Sequence, residues 1–247
     1  MPTGLGDEEL WLSPTVANNV NPFNDQSGNG NNGTAQGGMG TVADSSAGGS
    51  YCYQFDGMND YIYLGNVLNP TGSFTMASWV YSDPLPNNGA RATIIEKGYD
   101  GLDEPFVFMF ADADEIRGYS FDGSLHGNQV AHNASAGQWN QFTCTFNQST
   151  WKMYKNGSLI DTVNDATALS TNNENVLVGA STINSLVTRY WAGRLDDIRT
   201  YYRAITEAEI THLATSRGVL GPPGGDNYSP FRNAKYINKT YQIPRFG

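Results

Sequence analysis

Charge is scarce in this chain, and positive charge scarcer still. Only 15% of its 247 residues are charged, and 14 Lys+Arg against 24 Asp+Glu leave a net charge of −10. That balance argues against general nucleic-acid binding, which works through a basic face. No apolar run approaches the ~20 residues a membrane-spanning helix needs. Residues Met1 to Glu9 (MPTGLGDEE) lack the basic start and apolar stretch of an export signal, so the sequence predicts either a removed leader or release by another route. There are two cysteines and three histidines, and no Cys/His spacing suits zinc. His126, His132 and His212 stand alone, each read as structural or solvent-exposed.

What is abundant points to strands and turns. Twenty-eight Gly and 12% aromatic residues are the composition of a β-rich, loop-rich chain. Tyr51, Tyr53 and Phe55 alternate on one face of a strand, and Tyr61 to Leu64 follow a turn at 56–60. The segment 74–81 carries apolar groups on both faces, which suits a central strand. Further strands are expected at 93–98, 106–110, 116–121, 139–146, 151–155, 175–179 and 191–201. Asn156-Gly157 between 151–155 and Ser158-Leu159-Ile160 predicts a two-residue hairpin, because both turn positions need positive φ. Cys144 shares a face with Phe142 and Phe146 and is expected in the core, whereas Cys52 alternates away from Tyr53 and Phe55. Both read as unpaired thiols, with a disulfide between them as the alternative.

One helix is predicted late in the chain. Thr206 and Glu209 form a capping box, Ile205 and Ile210 a hydrophobic staple, and Gly218 sits where the helix should stop. Beyond it the charge reverses. From Arg217 to Gly247 there are five cations and one anion, net +4, while residues 1–216 carry nine cations and 23 anions, net −14. Gly221-Pro222-Pro223-Gly224-Gly225 separates the two parts. The sequence thus predicts a body at 1–218 and an arm at 219–247. Tyr228, Phe231, Arg232, Lys235, Tyr236, Tyr241 and Arg245 would let the arm dock on an acidic neighbour, and a disordered tail is the alternative.

Several segments, in order, resemble laminin G-like, concanavalin A-like domains. Asp25-Gln26-Ser27-Gly28-Asn29-Gly30-Asn31-Asn32-Gly33-Thr34 is similar to the family's opening loop, and Phe55-Asp56-Gly57-Met58-Asn59-Asp60-Tyr61-Ile62 to its F-D-G-x-x-D-Y-V segment. Phe74-Thr75 through Trp79-Val80, Glu96-Lys97-Gly98, Trp139 through Phe146 and Met153 through Gly157 match further framework strands. Gly193-Arg194-Leu195-Asp196-Asp197-Ile198-Arg199 through Ile205 resembles the closing strand. The resemblance covers about Trp11 to Leu213 and implies an all-β, two-sheet antiparallel jelly-roll sandwich. Its first and last strands would be neighbours.

That fold hosts lectins, adhesins, structural modules and glucanases, so function must come from a site. Glucanases of the fold carry E-x-D-x-x-E on one strand, which places two carboxylates for acid and nucleophile. This chain has no such string, and the reading is a non-enzyme. Many relatives hold a structural calcium near the junction of first and last strands. The resemblance therefore nominates Asp25, Asn31, Asp60 and Asp197 as oxygen donors for Ca2+; the alternative is that these residues only cap turns. A glycan site would draw on Tyr99, Asp103, Tyr119, His126 and Asn128 in predicted loops. The expected role is a surface binding or structural module without catalysis, membrane insertion or nucleic acid. The leading expectation is a capsid or tail decoration protein on a virion surface, assembling with itself or other virion proteins through the arm. A carbohydrate-binding lectin or adhesin of a secreted bacterial protein is the alternative.

Overall fold

A computed structural model describes residues 6–14, 23–44, 50–82, 91–99, 103–111 and 114–217, apart from the side chains of Ser50 and Tyr99. The first half runs β1 (Leu10–Leu12), β2 (Thr34–Gln36), β3 (Gly40–Asp44), β4 (Ser50–Asp56), β5 (Tyr61–Gly65), β6 (Phe74–Tyr81), β7 (Ala92–Tyr99) and β8 (Asp103–Ala111). The second half runs β9 (Glu115–Phe121), β10 (Leu125–Ala131), β11 (Asn140–Phe146), β12 (Thr150–Lys155), β13 (Ser158–Asn164), β14 (Val176–Val178), β15 (Ser181–Ile183), β16 (Leu186–Thr188), β17 (Ala192–Tyr201) and α1 (Glu207–Thr215). One sheet has the order β13-β12-β11-β6-β17-β4-β3, with β1 also paired to β17. The other has the order β10-β9-β8-β7-β14-β5-β2, and β15-β16 form a small hairpin. The two large antiparallel sheets make a jelly-roll sandwich, and β1 beside β17 brings the two ends of the body together.

Alternation explains what lies between the sheets. Phe106, Phe108 and Phe110 of β8 point inward and meet Phe142, Cys144 and Phe146 of β11 and Tyr53 and Phe55 of β4 in one buried cluster. The ring of Phe110 meets the edges of Phe142 and Trp191 at 5.6 and 5.3 Å. Each such side chain contributes about 1.5–3 kcal/mol on burial. Val107, Met109 and Ala111 point the other way and form a separate cluster with Tyr119. β6 is apolar on both faces because its inner residues join the core while Ala77 lies under α1, with Tyr154, Tyr201, Ile205, Ile210 and Leu213. The capping box forms as the sequence implies, with Thr206 Oγ1 accepting from the Glu209 amide and the Glu209 side chain accepting from the Thr206 amide. Asn156 and Gly157 both have positive φ, 49° and 82°, and turn β12 into β13.

Two differences stand out. The short strands β1, β2 and β3 fall in stretches too polar or too brief to announce themselves. β10 reads LHGNQVA and has no apolar alternation because it is an edge strand. His126 and Asn128, taken from sequence as loop residues, therefore lie on this strand. Both thiols are free and buried, Cys144 in the core and Cys52 on the opposite face of its strand. Gly218 and the arm at 219–247, with Tyr228, Phe231, Arg232, Lys235, Tyr236, Tyr241 and Arg245, lie outside the described residues. No described helix is long and apolar enough to cross a membrane.

Candidate functional site

The opening loop satisfies itself. Asp25 Oδ1 accepts from the amides of Trp11 and Ser27 at 2.9 and 3.0 Å, and Oδ2 accepts from the Ser27 hydroxyl and the Asn31 amide at 2.8 and 3.0 Å. Asn31 Nδ2 donates to the Glu9 carbonyl at 2.8 Å. Asp60 accepts from the amide of Asp56 at 2.9 Å and closes the β4–β5 turn. Asp197, at φ 52° in a bulge of β17, accepts from Trp11 Nε1 at 2.6 Å and from Arg199 Nε at 2.8 Å. Asp25 is filled on both oxygens, Asp197 ties β1 to β17 through Oδ1 and Asp60 closes a turn, the Asx chemistry of these residue types. Asp25, Asn31, Asp60 and Asp197 are not brought together as a cation shell, and the donors around them do not fit Ca2+. Among the described residues no three His, Cys, Asp or Glu side chains gather around a metal position.

The five nominated glycan residues are also not one surface. Tyr119 is buried, and by alternation it faces away from His126, whose strand partner is Ser120. Asn128 is fully buried, donates to Asp161 Oδ2 at 2.8 Å and accepts from the Cys144 thiol. These two are corrections: a ring without an exposed face cannot stack on a sugar, and a spent amide cannot bind one. Asp103 is half-buried, accepts from the Ser170 hydroxyl and, through its carbonyl, from Asn172 Nδ2 at 2.9 Å. His126 is held between Asp165 at 2.8 Å and Asp122 at 3.0 Å. Burial pushes its pKa down, but the hydrogen bonds to the two carboxylates outweigh burial and hold it above the ordinary histidine value. Tyr99 ends β7, and its side chain lies outside the described part.

Two carboxylates do come close, though not in a cleft. Glu96 on β7 and Glu104 on β8 are both buried. Burial first, and the charge of Glu104 second, push Glu96 up to about 8. Ser181 and the Thr182 amide donate to it. With exposures of 2% and 1%, neither can reach a substrate as glycoside hydrolysis requires.

An open polar depression lies elsewhere, on the outer face of the first sheet. A groove of about 480 Å³ is lined by Gln54, Phe55, Asp56, Tyr81, Ala192, Gly193 and Arg194. Adjacent strands set it: Ala192 pairs with Asp56, and Arg194 pairs with Gln54 on one side and Tyr81 on the other. Gly193, at φ 127°, has to be glycine, since a Cβ there would lie 2.3 Å from the Tyr81 carbonyl oxygen of the neighbouring strand. The Arg194 guanidinium lies 5.1 Å from the Tyr81 ring centroid and donates through Nε to Gln54 Oε1 at 3.1 Å. Gln54 Nε2 in turn donates to the Gly193 carbonyl at 3.1 Å. Tyr81 packs against Trp139, whose Nε1 donates to Asp44 at 2.6 Å and whose ring lies 4.0 Å from Arg217. Arg217 reaches Asp44 at 2.9 Å and Asp196 at 3.2 Å, so the rim is pinned. Burial and the charge of Asp197 push Asp196 up to about 7, against the pull of Arg217. Sequence reading passed over Gln54, Tyr81 and Arg194. The available signal was polar residues at outward positions of strands whose alternate residues are core.

Among solved structures the fold has many relatives. Domain 4 of an extracellular arabinanase from Geobacillus stearothermophilus, in complex with arabinotriose, is similar with TM-score 0.66 and 18% identity, over 84% of this chain and 98% of that one. The binding domain of Paraclostridial Mosquitocidal Protein 1 matches with TM-score 0.63 and 16% identity, over 85% of this chain and 52% of that one. The receptor binding domain of a botulinum neurotoxin C/D mosaic serotype matches with TM-score 0.63 and 15% identity, over 85% and 51%. The chain thus spans about half of these toxin domains and nearly all of the arabinanase domain. Among curated proteins none matches. Residues 56–211, from the β4–β5 turn into α1, match the family model for this sandwich. The chain belongs to the concanavalin A-like lectin/glucanases superfamily.

Proposed function

We propose that the chain is a non-catalytic carbohydrate-binding module that works outside a cell or on a particle surface, with the groove at Gln54, Asp56, Tyr81 and Arg194 as its sugar site. The observation that carries this is the groove itself: a shallow polar depression where the outer edge of the Arg194 guanidinium, held over Tyr81, and the exposed Asp56 carboxylate both face the open side. A few well-placed polar groups beside apolar area are what a small-ligand site needs. The burial of Glu96 and Glu104 supports a role without hydrolysis. The likeness to a complete domain of an arabinanase solved with arabinotriose supports the sugar-binding part of the reading. The test is a glycan array with the unmodified chain and with Tyr81→Ala. Saturable binding to one sugar class, lost in the variant while its circular dichroism is unchanged, is the expected result. Binding untouched by Tyr81→Ala would remove the groove from the reading.

A second reading, decoration of a virion surface through the arm at 219–247, has one described observation in its favour. Arg217, the last described residue before the arm, is fixed by Asp44, Asp196 and the Trp139 ring. Removing residues 221–247 is expected to abolish incorporation into particles and leave the body's melting temperature unchanged. Normal incorporation of the truncated chain would end this reading.

A further inference from the structure

Arg194 has no carboxylate partner among the described residues, unlike four other arginines of the body. Arg117 pairs with Glu115, Arg199 with Glu8 and Asp197, Arg203 with Asp7 and Glu209, and Arg217 with Asp44 and Asp196. The guanidinium of Arg194 meets only an amide oxygen, through Nε, and the face of Tyr81. Its two terminal nitrogens carry four donor hydrogens with no acceptor among the described residues, in a chain of net charge −10 that has carboxylates to spare. Stacking on a ring and bonding through Nε fix the plane of the guanidinium and leave its outer edge free, which is how arginine presents a fork to a carboxylate.

The other end of the groove is complementary. Asp56 Oδ1 accepts from the amides of Met58 and Asn59 at 2.8 and 3.2 Å, whereas Oδ2 has no described donor. Hydrogen bonds from those amides, Met58 first, hold the Asp56 pKa below its ordinary value, so the group is ionised at neutral pH and can only accept. Asp56 and Arg194 line one groove and do not pair with each other. Ala192 and Gly193 lie between them with nothing longer than a methyl group.

Resting on the carbohydrate reading above, we infer that the groove takes a uronic acid residue, its carboxylate on the free edge of Arg194 and its ring hydroxyls donating to Asp56 Oδ2. A neutral sugar would leave the fork unfilled, and a bare carboxylate would leave Asp56 without a donor. Dense polyanions are disfavoured at the groove itself, because Asp56 lines it beside Arg194 and a second anionic group of the ligand would face that carboxylate within about one screening length of 8 Å. The ligand is therefore a largely neutral glycan with an isolated acidic residue.

The probes are a xylotetraose bearing one glucuronic acid, its methyl ester, unsubstituted xylotetraose and a heparin hexasaccharide, each titrated by calorimetry and by nitrogen-15 NMR of the Arg Nε–H signals. The free acid is expected to bind and shift the Arg194 signal. Esterification, or Arg194→Gln with an unchanged melting temperature, should weaken binding on the order of tenfold or more. Asp56→Asn, which keeps the Oδ1 acceptor for the turn, should weaken it as well, and heparin should bind no better than the neutral chain. Equal affinity for acid and ester, or tighter binding of heparin, overturns the uronic acid assignment. If the ester and the neutral chain bind and Tyr81→Ala abolishes it, the sugar site stands without the acidic specificity. If none of the four probes binds, the assignment fails, and the glycan array decides the broader reading by itself.

Discussion

Arg199 holds its guanidinium 4.2 Å above the ring of Trp11 while both residues donate to the same oxygen, Oδ1 of Asp197. The arginine is fully buried and reaches Glu8 Oε1 at 3.0 Å as well, so β1 is fastened to β17 by charge and not by strand pairing alone. Removing one member of a buried ion pair strands the other. Asp197→Asn keeps the acceptor and the size but takes away the charge, and it is expected to cost about 3 kcal/mol. Urea denaturation checks this; a variant within 0.5 kcal/mol of the parent, roughly the scatter of a surface substitution, would show that Glu8 alone suffices.

Close approach of the two sheets depends on Gly118. A Cβ at this position would lie 2.4 Å from Cys144 Sγ and 3.1 Å from the methyl carbon of Met153. Neither side chain has room to withdraw, because both are packed in the core. Gly118→Ala is expected to destabilise by about 1–3 kcal/mol through overpacking. The double variant Gly118→Ala with Cys144→Ala should recover part of that loss in the same melting experiment, and no recovery would place the strain elsewhere.

How far the sequence carried the fold follows from these same contacts. Strands such as β6, β8 and β11 alternate or run apolar because both their sides are covered, so they were legible. The Asn156-Gly157 hairpin and the Thr206–Glu209 box are local and were equally readable. β10 was not, since an edge strand carries polar residues on purpose and looks like a loop. The sequence could not tell a carboxylate that binds a cation from one held by backbone amides. Asp25 is decided by the Trp11 amide fourteen residues away, which no local pattern reveals. The groove was invisible for a related reason: it exists only where β4, β17 and β6 lie side by side.

Glu96 gives the first pH prediction. Its folded pKa is pushed from 4.5 to about 8 by burial and by Glu104. The folded state then binds a proton more tightly than the unfolded chain, so stability falls as pH rises from about 4.5 to about 8. Glu96→Gln imitates the protonated acid and should flatten that fall. At pH near 8 the variant is expected to be more stable than the parent, measured by denaturation midpoints across the range. An unchanged slope in the variant would mean that the acid ionises freely in the fold.

His126 supplies the second, and it acts between the sheets. It projects from β10, the edge of one sheet, to Asp165, which follows β13 at the edge of the other, while its second nitrogen meets Asp122. A raised folded pKa means that its contribution is complete below the ordinary value of 6.5 and is lost as pH climbs through the folded value. The two aspartates work in the opposite sense. Asp122 is held below 3.8 chiefly by its hydrogen bond to His126, and Asp165, despite burial, by hydrogen bonds from Thr167 and His126; their share is lost as pH falls below that range. The clasp is therefore strongest at mildly acidic pH. His126→Gln should reduce the decline above about 6.5 that persists in Glu96→Gln, and the double variant should show the smallest decline, what remains coming from the ionisation of Asp196, pushed up to about 7. Proton NMR of the imidazole reads the same event directly. A titration midpoint at or below 6.5 would mean that the two carboxylates do not hold the ring.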